Sequence, residues 1–405
     1  MTAPINLSAF VRSGSTRRTA VGLILGAPLM AGCAGFQSNL PNFGGIFSSE
    51  PTPGSAGPPQ QPTAVGSGQV RVGLILPLSG AGNAGVAAQS MKNAAEMALA
   101  EFQAPNIQLL VKDDAGTPQG AQAGAQQAVD EGAEIILGPL FAAAVPAVAN
   151  VARTRGIPVI AFSTDSSVAG RGVYLLSFLP ESDVNRIVDY ASSTGKRSFA
   201  AMLPENAYGN VVEAAFKQAV SRRGGRIVAF ERYSGDRANA SRALAPALPS
   251  ADALFLADDG EQLVVTAESI AATGANLKRL QLIGTGLWDS PAVFNYAQLQ
   301  GGLYAAPDAA GYRAFANRYR AKFGRDPVRT ATLAYDAVAL VAALAKTQGG
   351  QRFAPETLTN PSGFAGIDGL FRFKADGTND RGLAVLRVAQ GGGQVVAGSP
   401  KSFGA

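Results

Sequence analysis

The sequence contains no histidine, one cysteine and one tryptophan in 405 residues. Without histidine there is no Ser-His-Asp or Cys-His catalytic set and no imidazole-ligated metal centre. The single cysteine, Cys33, permits neither an internal disulfide nor a cysteine-cluster metal site, so its position has to explain it. Charge is also sparse. Only 16% of residues are Asp, Glu, Lys or Arg, and the basic ones are dispersed apart from a short "SRRGGR" at 221–226, which leaves no nucleic-acid footprint. A carboxylate pair stands at Asp113-Asp114, but neighbours in a strand point apart and no base accompanies a nucleophile. These absences argue against an enzyme and give no reason to expect a cofactor or a metal.

What is present begins with a leader. The first 33 residues carry Arg12, Arg17 and Arg18 with no acid, then the apolar stretch "AVGLILGAPLMAG", then Cys33. That stretch is shorter than the roughly 20 residues a membrane-spanning helix needs, and small residues follow it, as in a secretion signal. "LMAGC" resembles the bacterial lipobox, which implies removal of residues 1–32 and lipidation of Cys33. By the sorting rule that goes with that resemblance, Ala34 points to the outer membrane. The expectation is a periplasmic protein that meets the membrane through its N-terminal lipid only. Without the leader's three arginines, 31 of the 34 basic residues remain against 29 acids, so the mature chain is near neutral. Residues 33–68 read as a tether: the run from 50 to 68 holds five prolines and four glycines.

From Gln69 the pattern becomes short apolar runs alternating with amphipathic helices. "VRVGLIL" is followed by a helix over about 84–102, with Ala87, Met91, Ala94, Ala95, Ala98 and Phe102 on one face. Thr117-Pro118 reads as a helix cap and first turn, and further strand-helix units follow, then a second similar series from about 181. The charge-free run from Ile135 to Ala152 is divided by Gly138-Pro139 and Pro146 into strand, loop and helix. Two long helices over about 308–324 and 330–347 come next, and Asp376-Gly377 marks a turn between extended runs. Repeated strand-helix units predict an α/β fold with parallel sheets, in which ligands bind beyond the carboxyl ends of the strands.

Gly80, Gly82 and Gly85 have the G-x-G-x-x-G spacing of a dinucleotide loop, but that motif alone is weak. The loops after the strands run "PLSGAG", "DDAGT", "GPLF", "FSTDSS", "PENAYG", "DDGEQ" and "GTGLWD". Small, hydroxyl and amide residues dominate them, with Phe141, Tyr208 and Trp288 as walls. Such loops offer N–H groups and hydroxyls to a polar ligand.

"VGLILPLSG", "ILGPLF", "IPVIAFSTDSS", "YLLSFLP", "PENAYG" and "LAYDAVALVAAL", in this order, resemble the leucine-binding-protein family of type I periplasmic binding proteins over residues 69–398. The leader, the tether and the run "DDAGTPQGAQAGAQQAVDEGAEIILGPLF" are most similar to lipoproteins called penicillin-binding protein activators. The resemblance implies two Rossmann-like lobes with parallel sheets, joined by three crossovers around a central cleft. Lobe 1 is expected to span 69–180 plus 307–368, and lobe 2 to span 181–306 plus 369–398. It also reads the glycines as cleft backbone, because Pro77-Leu78-Ser79 separate the strand from Gly80, unlike a dinucleotide loop.

Carried over residue by residue, the resemblance puts Ser79 and Phe141 at the cleft. Ala142 falls where the family has a carboxylate-binding serine, and Ser163, Thr164, Asp165 and Ser166 match the second carboxylate-binding loop. Tyr208 matches a pocket aromatic. Asp258 or Asp259 falls at a further aromatic position, and Gly286 falls where a glutamate would hold an ammonium. Asp258 is either a replacement anion or a helix cap, and Trp288 either packs or stacks on the ligand. The implied function is a non-enzymatic binder of a small polar solute, an amino acid or a relative, serving an ABC permease. The alternative is an outer-membrane activator of peptidoglycan synthesis whose partner is a penicillin-binding protein.

Overall fold

A computed structural model of the chain describes residues 5–6 and 64–403. The expected leader apart from residues 5–6, the lipidation site Cys33 and most of the tether lie outside the described residues. Two short strands come first, β1 (Ile5–Asn6) and β2 (Ala64–Val65).

Lobe 1 then opens with β3 (Val70–Leu76), α1 (Asn83–Glu101), β4 (Ile107–Asp113), α2 (Pro118–Asp130), β5 (Ile135–Leu137), α3 (Val145–Arg153), β6 (Val159–Ala161) and β7 (Val173–Leu175). Its sheet has the order β2-β4-β3-β5-β6-β7, parallel except for β2. Helices cover both faces, which is why "VRVGLIL" is apolar almost throughout rather than alternating. Thr117 caps α2 as expected, its hydroxyl accepting from the Gly120 N–H, with Pro118 in the first turn.

Lobe 2 contains α4 (Pro180–Ser193), β8 (Ser198–Pro204), α5 (Ala207–Arg222), β9 (Arg226–Tyr233), α6 (Ala238–Leu244), β10 (Ala253–Leu256), α7 (Gly260–Ala271), β11 (Gln281–Gly284), α8 (Pro291–Asn295) and β12 (Leu303–Ala306). Strands β9-β8-β10-β11-β12 are parallel. The chain returns to lobe 1 through α9 (Ala309–Phe323), α10 (Ala331–Thr347), α11 (Pro355–Leu358), β13 (Phe364–Gly366), β14 (Gly369–Phe373) and β15 (Asn379–Arg381). It ends in lobe 2 with β16 (Ala384–Ala389), antiparallel to β12, and β17 (Gly392–Ala397). Strand β1 lies parallel to β13.

The long helix α10 is buried from Ala331 to Leu344 and packs against α1. Its alanines let the two helices approach closely, and the aromatic side chains of Phe315, Tyr319 and Tyr335 join the same core. Phe364, Phe371 and Phe373 belong to that core too. This corrects the expected lobe boundary at 368. Strands β14 and β15 stay with lobe 1, where the Asn379 side-chain amide donates to the carbonyls of Leu175 (2.8 Å) and Ser177 (2.9 Å). Leu383 is the first residue of this segment in the lobe 2 core, so the last crossover runs through 382–383.

The other crossovers, at 176–179 and 307–308, leave the carboxyl ends of β7 and β12, and Ala384 pairs with Ala306 at the third. Since each sheet is largely parallel, the carboxyl ends of both sheets converge on this hinge. The loops after the strands therefore line the space between the lobes.

Candidate functional site

On the lobe 1 side, the Ser79 N–H donates to Asp113 Oδ1 (3.2 Å), so the loops after β3 and β4 are tied together. The ring of Phe141 lies over Gly116, where an added Cβ would sit 3.5 Å from it. Ala142 opens a single 3₁₀ turn and offers no polar group. In the turn after β6, the buried Ser163 hydroxyl accepts from the Asp165 N–H (3.1 Å), and Asp165 accepts from the Ser167 N–H (2.9 Å). Thr164 is partly exposed at this turn. The Ser166 hydroxyl donates to Glu181 Oε1 (2.7 Å) in the first turn of α4, a bond from lobe 1 to lobe 2 just past the first crossover. Asp114 is fully buried, with Oδ1 held by the Gly116 N–H (2.8 Å) and Oδ2 unpartnered. Burial, only partly opposed by that N–H, pushes its pKa up to about 7.

On the lobe 2 side, three segments meet. The Tyr208 hydroxyl is 2.8 Å from Thr285 Oγ1, and the Gly286 N–H donates to Asp183 Oδ2 (2.9 Å). A Cβ added at Gly286 would meet this same oxygen at 3.2 Å. The Asp183 carboxylate thus occupies the space into which a side chain at 286 would grow. Burial pushes its pKa up to about 7, against the lowering effect of the Gly286 N–H and of Arg381. Tyr208 is raised above the ordinary tyrosine value, again chiefly by burial, so its hydroxyl stays neutral.

Two expected residues do not belong to this site. Asp258 accepts hydrogen bonds from Tyr233 and from Thr266 (2.5 Å) and is only 5% exposed, so both its oxygens serve the lobe 2 interior. It is neither a replacement anion nor a solvated cap. Trp288 is fully buried and its indole N–H donates to the Leu256 carbonyl (3.2 Å), which makes it core. Sequence reasoning missed Asp183, which reads as an ordinary acid in the first turn of a helix, and also missed Thr285, the partner of Tyr208, and Glu181, the partner of Ser166.

The hinge carries a second charged group. Phe178, in the first crossover, lies 4.6 Å from both the Arg329 and Arg381 guanidinium carbons. Arg329 forms a bidentate pair with Asp368, and Arg381 Nε donates to the Ser177 carbonyl (2.8 Å). The glycine motif also has a local explanation. Gly80 donates to the Pro77 carbonyl (3.0 Å), and a Cβ on Gly85 would fall 2.2 Å from the Gly80 carbonyl oxygen. The loop folds onto its own helix start, so Gly80 and Gly85 serve a close backbone approach within the chain.

Two α/β lobes whose strand ends face a common hinge define a two-lobe binding protein of type I periplasmic architecture. Residues 69–393 match the family described as periplasmic binding protein, and the chain belongs to that family. Solved structures agree on the fold. A Rhodospirillum rubrum protein assigned to branched-chain amino acid ABC transport superimposes with a TM-score of 0.72 at 20% identity, over 81% of this chain and 99% of that one. A Desulfitobacterium hafniense ABC transporter substrate-binding protein in complex with Leu gives 0.60 at 18% identity, over 81% and 99%. A Rhodopseudomonas palustris solute-binding protein in complex with 3,4-dihydroxybenzoic acid gives 0.55 at 21% identity, over 82% and 98%. No curated relative matches the chain in sequence.

Proposed function

We propose that this protein is a non-enzymatic receptor that holds a small carboxylate-bearing solute, an amino acid or a relative, between its lobes and presents it to an ABC permease. The observation that carries this reading is the half-buried Asp183 carboxylate, fixed by the Gly286 N–H beside Tyr208 and Thr285. It supplies, from a different segment, the anion that an ammonium group requires. The hydroxyl turn at Ser163–Ser166, together with Ser79 and Phe141 of the same lobe, is the partner surface for the solute's carboxylate. Three of the structural neighbours are solute complexes, with leucine, 3,4-dihydroxybenzoic acid and benzoate, and all three solutes are carboxylic acids or carboxylates. A ligand touching both lobes favours the closed arrangement, and that arrangement is what a permease would read. Lipidation at Cys33 and an outer-membrane address complete the proposal.

The test is a thermal-shift screen of the full chain against amino acids, aromatic acids, short peptides and polyols. A ligand at a hundred times its Kd adds about 2.7 kcal/mol, enough to raise Tm by several degrees. Tyr208→Ala is expected to weaken a hit by about tenfold or more, with Tyr208→Phe losing only the hydroxyl's share. No shift across the whole set would count against a solute receptor and turn attention to a penicillin-binding protein as partner.

A further inference from the structure

A groove on lobe 2, outside the site described above, is lined by arginine. It lies between α4 and the end of α5, near the amino ends of β8 and β9, and forms a cavity of 510 Å³. Arg186, Arg197, Arg222 and Arg223 face it with Asp189 and Ser192. The sequence shows Arg222, Arg223 and Arg226 in line, and the fold adds Arg186 and Arg197 to them.

The charges are poorly balanced. Arg223 Nε donates to Asp189 Oδ1 (2.6 Å), and Arg222 stands 3.7 Å from the same oxygen. The guanidiniums of Arg186 and Arg197 form no ion pair among the described residues, although the Arg197 backbone N–H donates to Asp252 Oδ2 (2.8 Å). Instead, Arg186 donates to the carbonyls of Leu383 (2.8 Å) and Gly398 (3.2 Å), and Arg197 donates to that of Ser192 (3.1 Å). Carbonyls orient a guanidinium without neutralising it, so the remaining N–H groups are held in fixed directions with their charge intact. Ser192 is 4% exposed and its hydroxyl has no hydrogen-bond partner. The side chains of Arg222 and Arg223 are about half exposed, at 47% and 49%, so the groove is open to solvent.

We propose that this groove is an anion site for a phosphate group, taken either from a soluble phosphate compound or from the headgroup of an anionic phospholipid. Four guanidiniums around one carboxylate leave more donors than a ligand carboxylate's two oxygens can use. A phosphate brings more oxygens and up to twice the charge, and its geometry suits paired guanidinium forks.

The experiment titrates the full chain with inorganic pyrophosphate by calorimetry and, separately, sediments it with phosphatidylcholine vesicles with and without phosphatidylglycerol. Binding of pyrophosphate alone assigns the site to a soluble phosphate; retention on the phosphatidylglycerol vesicles alone assigns it to a headgroup. In either case Arg197→Gln is expected to weaken binding about tenfold, and added salt to weaken it further. Asp189→Asn, which removes the one competing anion, is expected to strengthen binding, a gain that a misfolded variant cannot produce. The proposal is overturned if neither probe binds, or if binding is indifferent to both substitutions.

Discussion

At the scale of single residues, Asp183 makes the sharpest prediction. Its pKa, raised from 3.8 to about 7, means that the free protein is only partly ionised there near neutrality. A ligand ammonium pairs with the carboxylate and not with the acid. Affinity for such a ligand should therefore rise about tenfold between roughly pH 6 and pH 8 and level off above, as the ionised fraction does. Calorimetry at the two pH values checks this. Asp183→Asn should bind weakly with no pH slope, and an unchanged slope in that variant would remove Asp183 from the site. The contrast with Asp258 shows what a sequence hides at this scale. Both are acids at or near a helix start, yet one accepts from a glycine 103 residues away and the other from Tyr233, 25 residues away, and from Thr266. Their roles are set by partners brought in by the fold. The small, hydroxyl character of the Ser163–Ser166 turn is a local property, and it was legible.

At the scale of elements, the loop from β3 to α1 shows how a familiar spacing can serve packing alone. A methyl group on Gly85 would collide with the Gly80 carbonyl, and α1 would have to shift from its place against α10. Gly85→Ala should cost about 1 to 3 kcal/mol in urea unfolding. A neutral result would mean that the loop has room to spare and would reopen the reading of this motif. Most elements were legible because their signals are local: the cap at Thr117, the left-handed Gly324 that ends α9, and the apolar strands buried on both faces. The assignment of β14 and β15 was not. Their hairpin pattern fits either lobe, and the choice is made by Phe371, Phe373 and Asn379, which reach a core and carbonyls formed by distant parts of the chain.

At the scale of the whole molecule, buried carboxyls tie stability to pH. Asp114, Asp183 and Asp336 are all raised from 3.8 to about 7, each chiefly by burial. A raised carboxyl is still protonated in the native state at pH values where the unfolded chain has released the proton. Between about pH 4 and pH 7 the native state thus binds more protons, and stability falls as pH rises, flattening above 7. Asp252, Asp368 and Asp376 are shifted the other way, and what they contribute is lost below about pH 4. The urea midpoint should accordingly be higher near pH 5 than near pH 8. For Asp114 and Asp336, which are almost fully buried, the cost of ionisation is on the order of 1 to 4 kcal/mol each. Asp258, Asp259 and Asp289 are raised as well, so Asp114→Asn, which keeps an oxygen for the Gly116 N–H and cannot ionise, should shrink the difference between the two pH values without abolishing it. A midpoint that climbs from pH 5 to pH 8, or a slope untouched by this variant, would refute the account. The same linkage ties the fold to the cleft. A cationic solute on Asp183 offsets that residue's cost of ionising, so the stabilisation it confers should be larger at pH 8 than at pH 5, whereas a solute held by lobe 1 hydroxyls alone would stabilise the protein equally at both.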